Sequence, residues 1–220
     1  MLKSVQGESG RVGERGSGGA GEIEKELTMH KDYLKLLKKY EAYMEGHFQL
    51  SSGLHSGAYV QCAKVLQYPS AAQELGEYLA KNFSGKQINL VISPALGGIL
   101  IGHEVARSIG CKCIFAEREN DVMKLRRGFD IKEGEHCLII EDVITTGKAT
   151  KEMWNIIEEK KGKIEGVGCI VNRSEGFPVP VPFYHIVKLA IENYKPEDCP
   201  MCKSKIPLYV PGSRWSKAKT

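Results

Sequence analysis

The sequence predicts an α/β fold, a parallel twisted sheet flanked by helices, with a small hood region at its N-terminal end. Three observations carry this expectation. Between residues 88 and 172, short apolar segments alternate with longer amphipathic ones, the pattern of strands joined by crossover helices. Leu90-Val-Ile92 and Cys137-Leu-Ile-Ile140 are unbroken apolar runs, as strands covered by helices on both faces require. The segments that follow Ser93, Glu117 and Glu141 are unlike the rest in composition, and ligands of such sheets bind beyond the carboxyl ends of the strands.

Residues 1–27 contain seven of the 24 glycines and no apolar period, so they read as a disordered tail. Gly16 to Gly21 matches the dinucleotide-binding spacing, but neither a strand before it nor a helix after it supports that match. The folded part is expected over 28–214, with a hood over about 28–68, a core over about 70–192 and a basic tail over 215–220. From Met29 to Glu45, Tyr33, Leu34, Leu37, Tyr40 and Met44 recur at three- and four-residue steps, which predicts a helix stopped by Gly46. Phe48–Leu50 and Ala58–Gln61 read as short strands, and Pro69-Ser70 opens a helix to about Phe83.

The core then runs as strand Ile88–Ser93, helix Gly98–Ile109, strand Lys112–Glu117, a polar loop, strand His136–Glu141, helix Thr146–Lys161 and strand Ile164–Asn172. Tyr184–Ile191 supplies one more strand. Right-handed crossovers are expected throughout.

Composition narrows the function. The longest apolar stretch, Leu90 to Ile101, is interrupted by Ser93, Pro94, Gly97 and Gly98, too short for the roughly 20 apolar residues of a membrane span. Seven cysteines without framework spacing, and no export signal, point to a reducing cytoplasm. The formal charge of +4 is too small to demand nucleic acid or any other anionic partner.

The segment Cys137-Leu-Ile-Ile-Glu141-Asp142-Val143-Ile144-Thr145-Thr146-Gly147-Lys148-Ala149 places a buried strand and two carboxylates before a hydroxyl- and glycine-bearing loop at a helix start. Free backbone N–H groups and the positive end of the helix dipole favour a phosphate there. The acids would repel that phosphate but can accept hydrogen bonds from a sugar diol, so the loop suits a ribose 5-phosphate. An acidic strand end with a threonine cap is the plainer alternative. A Walker loop is excluded, because Asp142 stands five positions before Gly147.

This segment resembles the phosphoribosyl-pyrophosphate motif of type I phosphoribosyltransferases. Phe48-Gln-Leu50-Ser51-Ser52-Gly53-Leu-His-Ser56-Gly-Ala-Tyr59, Ser93-Pro94-Ala95-Leu96-Gly97-Gly98 and Asn172-Arg173 extend the resemblance to the orotate phosphoribosyltransferases within that family. The likeness spans about Tyr33 to Arg214. It implies that Glu141 to Ala149 bind phosphoribosyl pyrophosphate, that Ala95, Leu96, Gly97 and Gly98 approach its pyrophosphate, and that Thr145 and Arg173 contact orotate. It further implies Mg²⁺ held mainly through substrate, with no protein metal ligands, and a homodimer in which the Arg118–Arg127 loop reaches the neighbouring site. Arg118, Lys124, Arg126 and Arg127 are then the candidate catalytic cations for departing pyrophosphate; a solvated hairpin is the alternative. Arg118-Glu119, Arg127, Ser51 and Lys148-Ala149 depart from the common family pattern.

The expected activity is therefore transfer of ribose 5-phosphate to orotate in pyrimidine synthesis, with neither nucleic acid nor membrane as partner. A phosphoribosyltransferase for another base, and a non-catalytic sensor of phosphoribosyl pyrophosphate, are the alternatives. Cys199-Pro-Met-Cys202 has metal-type spacing, but tetrahedral zinc needs two further ligands from elsewhere. His47, His55 and His103 lack a metalloprotease pattern and read as solvated or capping groups. Cys111, Cys113, Cys137 and Cys169 read as small hydrophobes.

Overall fold

The computed structural model describes His30 and residues 32–211, so the expectations for the tails at 1–27 and 215–220 lie outside the described residues. Residues 32–39 form helix α1, followed by strands β1 (Tyr43–Gln49) and β2 (His55–Val60), helices α2 (Ala63–Leu66) and α3 (Pro69–Lys81) and strand β3 (Leu90–Pro94). Helix α4 (Gly98–Ile109), strands β4 (Lys112–Glu119), β5 (Val122–Leu125) and β6 (His136–Ile144), and helix α5 (Lys148–Glu159) come next. Strands β7 (Lys163–Asn172), β8 (Phe183–Lys188) and β9 (Asn193–Tyr194) and the short helix α6 (Pro200–Lys203) follow among the described residues.

The main sheet has the order β5-β4-β3-β6-β7-β8. All its pairings are parallel except β4 with β5. Helices α3 and α4 cover one face through Leu75, Leu79, Ile101 and Val105, while α5 covers the other through Met153 and Ile157. Chain order reverses at β3, whose neighbours are β4 on one side and β6 on the other, with α4 and α5 on opposite faces. That reversal opens a crevice between the carboxyl ends of β3 and β6.

Three expectations are corrected. Helix α1 ends before Glu45 because Glu41, at φ 53°, takes the left-handed position of a helix stop, with Ala42 N–H donating to Leu37 O at 2.8 Å and Glu41 N–H to Lys38 O at 3.0 Å. Gly46 therefore lies inside β1, not at a helix end. The polar loop after β4 is a tight antiparallel hairpin: Glu119 pairs with Val122 around Asn120 and Asp121, whose φ values of 50° and 61° suit a two-residue turn.

The hood is a second sheet of order β1-β2-β9. Its third strand comes from beyond the core: His55 pairs with Tyr194, and Tyr209 exchanges backbone hydrogen bonds with His47 and Gln49. Residues at both ends of the chain thus build one wall.

Candidate active site

Thr145 and Thr146 follow β6, Arg173 follows β7, and the hood hairpin Gln49–Leu54 faces them across an open cleft of about 1090 Å³. Tyr59, Asn193, Val210 and Pro211 complete the lining. The cleft therefore unites the threonine loop, the strand-end arginine and the hood motif, although Gln49 and Arg173 stand 124 positions apart in the chain.

Arg173 is held by its backbone N–H, which donates to Ile144 O at 2.8 Å. Its guanidinium is half-buried near Tyr59 and Tyr43, and desolvation is the main influence lowering its pKa below the ordinary arginine value. Its Nε is buried with no hydrogen-bond partner among the described residues. A buried donor of this kind calls for an acceptor, and a planar anion best matches the guanidinium fork.

Gly147 caps α5 in the left-handed conformation, φ 72°, and a Cβ there would meet the Phe177 ring at 2.1 Å. Only glycine fits both constraints. The turn aims the first N–H groups of α5 out beyond β6, the geometry that receives phosphate. Thr145, Thr146 and Lys148 are exposed there, Ala149 is half-buried, and Val143 and Ile144 pair with Val171 and Asn172 as part of the β6 frame.

The two acids diverge. Successive residues of a strand face opposite sides. Glu141 turns toward α5, is 5% exposed and accepts a hydrogen bond from Thr150 Oγ1. Burial, the largest influence, pushes its carboxyl up to about 7. Asp142 turns toward α4 and lies against Gly97, and burial raises its pKa as well. The Pro94–Gly98 turn, with a cis Ala95–Leu96 peptide, so stands beside Asp142 rather than Glu141. Leu96 is exposed and Gly98 is packed under Pro94 and Ile140.

The hairpin cations are not in this cleft's lining. Arg118 pairs with Glu152 and donates to Asp121 O at 2.7 Å, while Lys124 and Arg126 both reach Glu119, at 3.0 and 3.4 Å. Arg127 makes a two-pronged contact with Glu117 at 2.8 and 2.9 Å. In this conformation the hairpin's four cations are all paired, Arg118 with α5 and the other three with acids of β4.

His47 and His55 correct the expectation of solvated or capping roles: they are 1% and 4% exposed, hydrogen-bonded to each other at 2.9 Å, and both face Cys202. His103 is exposed as expected. Cys137 and Cys169 are fully buried, whereas Cys111 and Cys113 are only partly so. Sequence reading missed Asn193, Val210 and Pro211 as cleft residues, because β9 and the segment after α6 carry no motif, and their pairing with the hood is made largely by backbone groups.

Residues 62–199 match the family model described as Phosphoribosyl transferase domain. A curated relative named orotate phosphoribosyltransferase, from Thermoanaerobacter sp., is 50% identical over 84% of this chain and 97% of its own. Another of that name, from Thermotoga maritima, is 46% identical over 83% of this chain and 98% of its own. Among solved structures, orotate phosphoribosyltransferase from Aeropyrum pernix superposes with a TM-score of 0.59 at 22% identity, covering 70% of this chain and 92% of that one. The Mycobacterium tuberculosis enzyme of the same name gives 0.60 at 17% identity over 74% and 97%.

Proposed function

The chain belongs to the phosphoribosyl transferase family and, within it, to the orotate phosphoribosyltransferases, and we propose how its residues divide that work. Orotate enters the cleft under the hood, its carboxylate on the Arg173 guanidinium and its ring edge against Thr145. The phosphate of phosphoribosyl pyrophosphate sits on the N–H groups of Thr146 to Ala149 at the start of α5. Asp142 accepts hydrogen bonds from the ribose hydroxyls, and the Ala95–Gly98 turn approaches the pyrophosphate. Glu141, turned inward onto Thr150, sets the end of β6 rather than touching sugar.

With both substrates so held, the orotate ring nitrogen attacks ribose C1, the C1–O bond to pyrophosphate breaks with its electron pair leaving on pyrophosphate, and the ring N–H proton passes to the departing pyrophosphate. No protein nucleophile is needed; positioning and the exclusion of water supply the acceleration. Asp142 offers a hard carboxylate oxygen beside the Gly97 turn, which fits a hydrated Mg²⁺ carried mainly by substrate. When bound, Mg²⁺ neutralises the charge that grows on the departing pyrophosphate.

We further infer, from the likeness to the family, a homodimer in which the hairpin of one subunit, carrying Arg118, Lys124, Arg126 and Arg127, serves the cleft of the other. The cytoplasm suits a chain whose cysteines among the described residues are all free thiols. No described helix is long and apolar enough to cross a membrane.

The observation that carries this reading is the buried, unpartnered Nε of Arg173 in a cleft shared with Thr145 and Thr146. The test is a panel of bases mixed with phosphoribosyl pyrophosphate and Mg²⁺. Product with orotate and none with uracil, adenine or guanine supports the assignment of Arg173; equal use of uracil would overturn it.

A further inference from the structure

We propose that His47, His55, Cys199 and Cys202 form a tetrahedral zinc site that ties the hood hairpin to the C-terminal segment. The four ligand atoms lie within 4.8 Å of one another, and they come from three separate pieces of chain. His47 is on β1 and His55 on β2; Cys199 caps the single turn of α6 and Cys202 lies within it, and β9 delivers that turn to the hood.

Three of the six ligand-to-ligand spacings already match a coordination shell, and all lie within 4.8 Å. Zn–N bonds of about 2.0–2.1 Å and Zn–S bonds of about 2.3 Å imply tetrahedron edges of roughly 3.3–3.8 Å. Cys199 Sγ is 3.5 Å and Cys202 Sγ 3.7 Å from His47 Nε2, and Cys202 Sγ is 3.3 Å from His55 Nδ1. The edge between His47 Nε2 and His55 Nδ1, 2.9 Å, would open by a few tenths of an ångström around a metal.

The surroundings also suit a metal. His47 Nδ1 lies 2.8 Å from Ile206 O. Donation of its proton to that carbonyl leaves the Nε2 lone pair aimed at the other three ligands, the outer-shell bond that orients zinc-bound histidines. Two thiolates and two imidazoles select zinc over hard cations such as Mg²⁺ or Ca²⁺. Four protein ligands leave no open position, as in structural zinc sites, and three of the four are buried.

Its position gives it a consequence. His47 and His55 flank Gln49–Leu54, the cleft wall, and Tyr209, next to the lining residue Val210, is bonded to His47 and Gln49 through backbone groups. A zinc ion here would fix the wall's two ends to each other without entering the cleft. A metal-free hydrogen-bonded cluster of the same four residues is the rival arrangement, and metal content separates the two.

The full chain is expressed in zinc-supplemented medium, purified under reducing conditions without chelator, and analysed for metal. The expected result is about one zinc per chain, falling at least roughly tenfold in a Cys199→Ser/Cys202→Ser variant. Replacement of zinc by Co²⁺ in the wild-type chain should produce thiolate-to-cobalt charge transfer with the visible bands of a tetrahedral ion, a readout that needs no variant to fold. Wild-type protein that is metal-free and gives no thiolate–cobalt absorption, or a double variant that keeps its full zinc, would overturn the proposal.

Discussion

Asp142 lies directly over Gly97: a Cβ added at Gly97 would come within 2.5 Å of Asp142 Oδ2. The carboxylate has its place because β3 and β6 are neighbours and the chain leaves β3 through a glycine. Gly97→Ala should push the carboxylate aside while leaving the fold intact, since the clash falls on the far end of a side chain. Steady-state kinetics should show kcat/KM for phosphoribosyl pyrophosphate down by roughly tenfold or more, with the melting temperature little changed. Unaltered kinetics would remove Asp142 from the sugar site.

Glu141 should make the protein less stable as pH rises. Its carboxyl titrates near 7 in the folded chain, above the ordinary value of 4.5, so folding takes up a proton between those values. The group therefore costs nothing below about pH 4.5 and its penalty grows to roughly 3 kcal/mol above pH 7. Glu141→Gln keeps the acceptor for Thr150 and removes the charge. Denaturation at about pH 8 should find the variant more stable than wild type, with the difference vanishing toward pH 4.5. A constant difference across pH would refute the assignment.

Arg173→Ala should separate the two substrates. Loss of a charge-assisted contact costs ~1.5–3 kcal/mol, or roughly 10–150-fold in kcat/KM for orotate. Binding of phosphoribosyl pyrophosphate, measured by calorimetry, should stay near wild type because the phosphate loop is separate. Wild-type orotate kinetics in this variant would shift base recognition to the hood.

Mixing should reveal shared sites. A Lys124→Ala/Arg126→Ala/Arg127→Ala protein and an Asp142→Asn protein are each expected to be inactive, and exchanged heterodimers should regain part of the activity through one intact composite site. The three cations must leave Glu117 and Glu119 to act, so wild-type activity should weaken as salt screens their attraction to pyrophosphate. No recovery despite proven subunit exchange would argue against a shared site.

Much of this protein was determined locally. The runs Leu90-Val-Ile92 and Cys137-Leu-Ile-Ile140, the Thr145-Thr146-Gly147 loop and the glycine turn after β3 each act through residues adjacent in the chain, so periodicity and spacing suffice to read them. The Glu41 helix stop was harder, because a glutamate occupies the left-handed position there and local pattern gives no warning, whereas Asn120-Asp121 are residue types that tolerate such a turn. Tertiary structure alone decided the rest. Whether Glu141 and Asp142 face one ligand or two helices depends on what packs on each side of β6. The assembly of His47 and His55 with Cys199 and Cys202 depends on β9 returning to the hood across some 140 residues of chain, a pairing made by backbone hydrogen bonds that carry no side-chain signature.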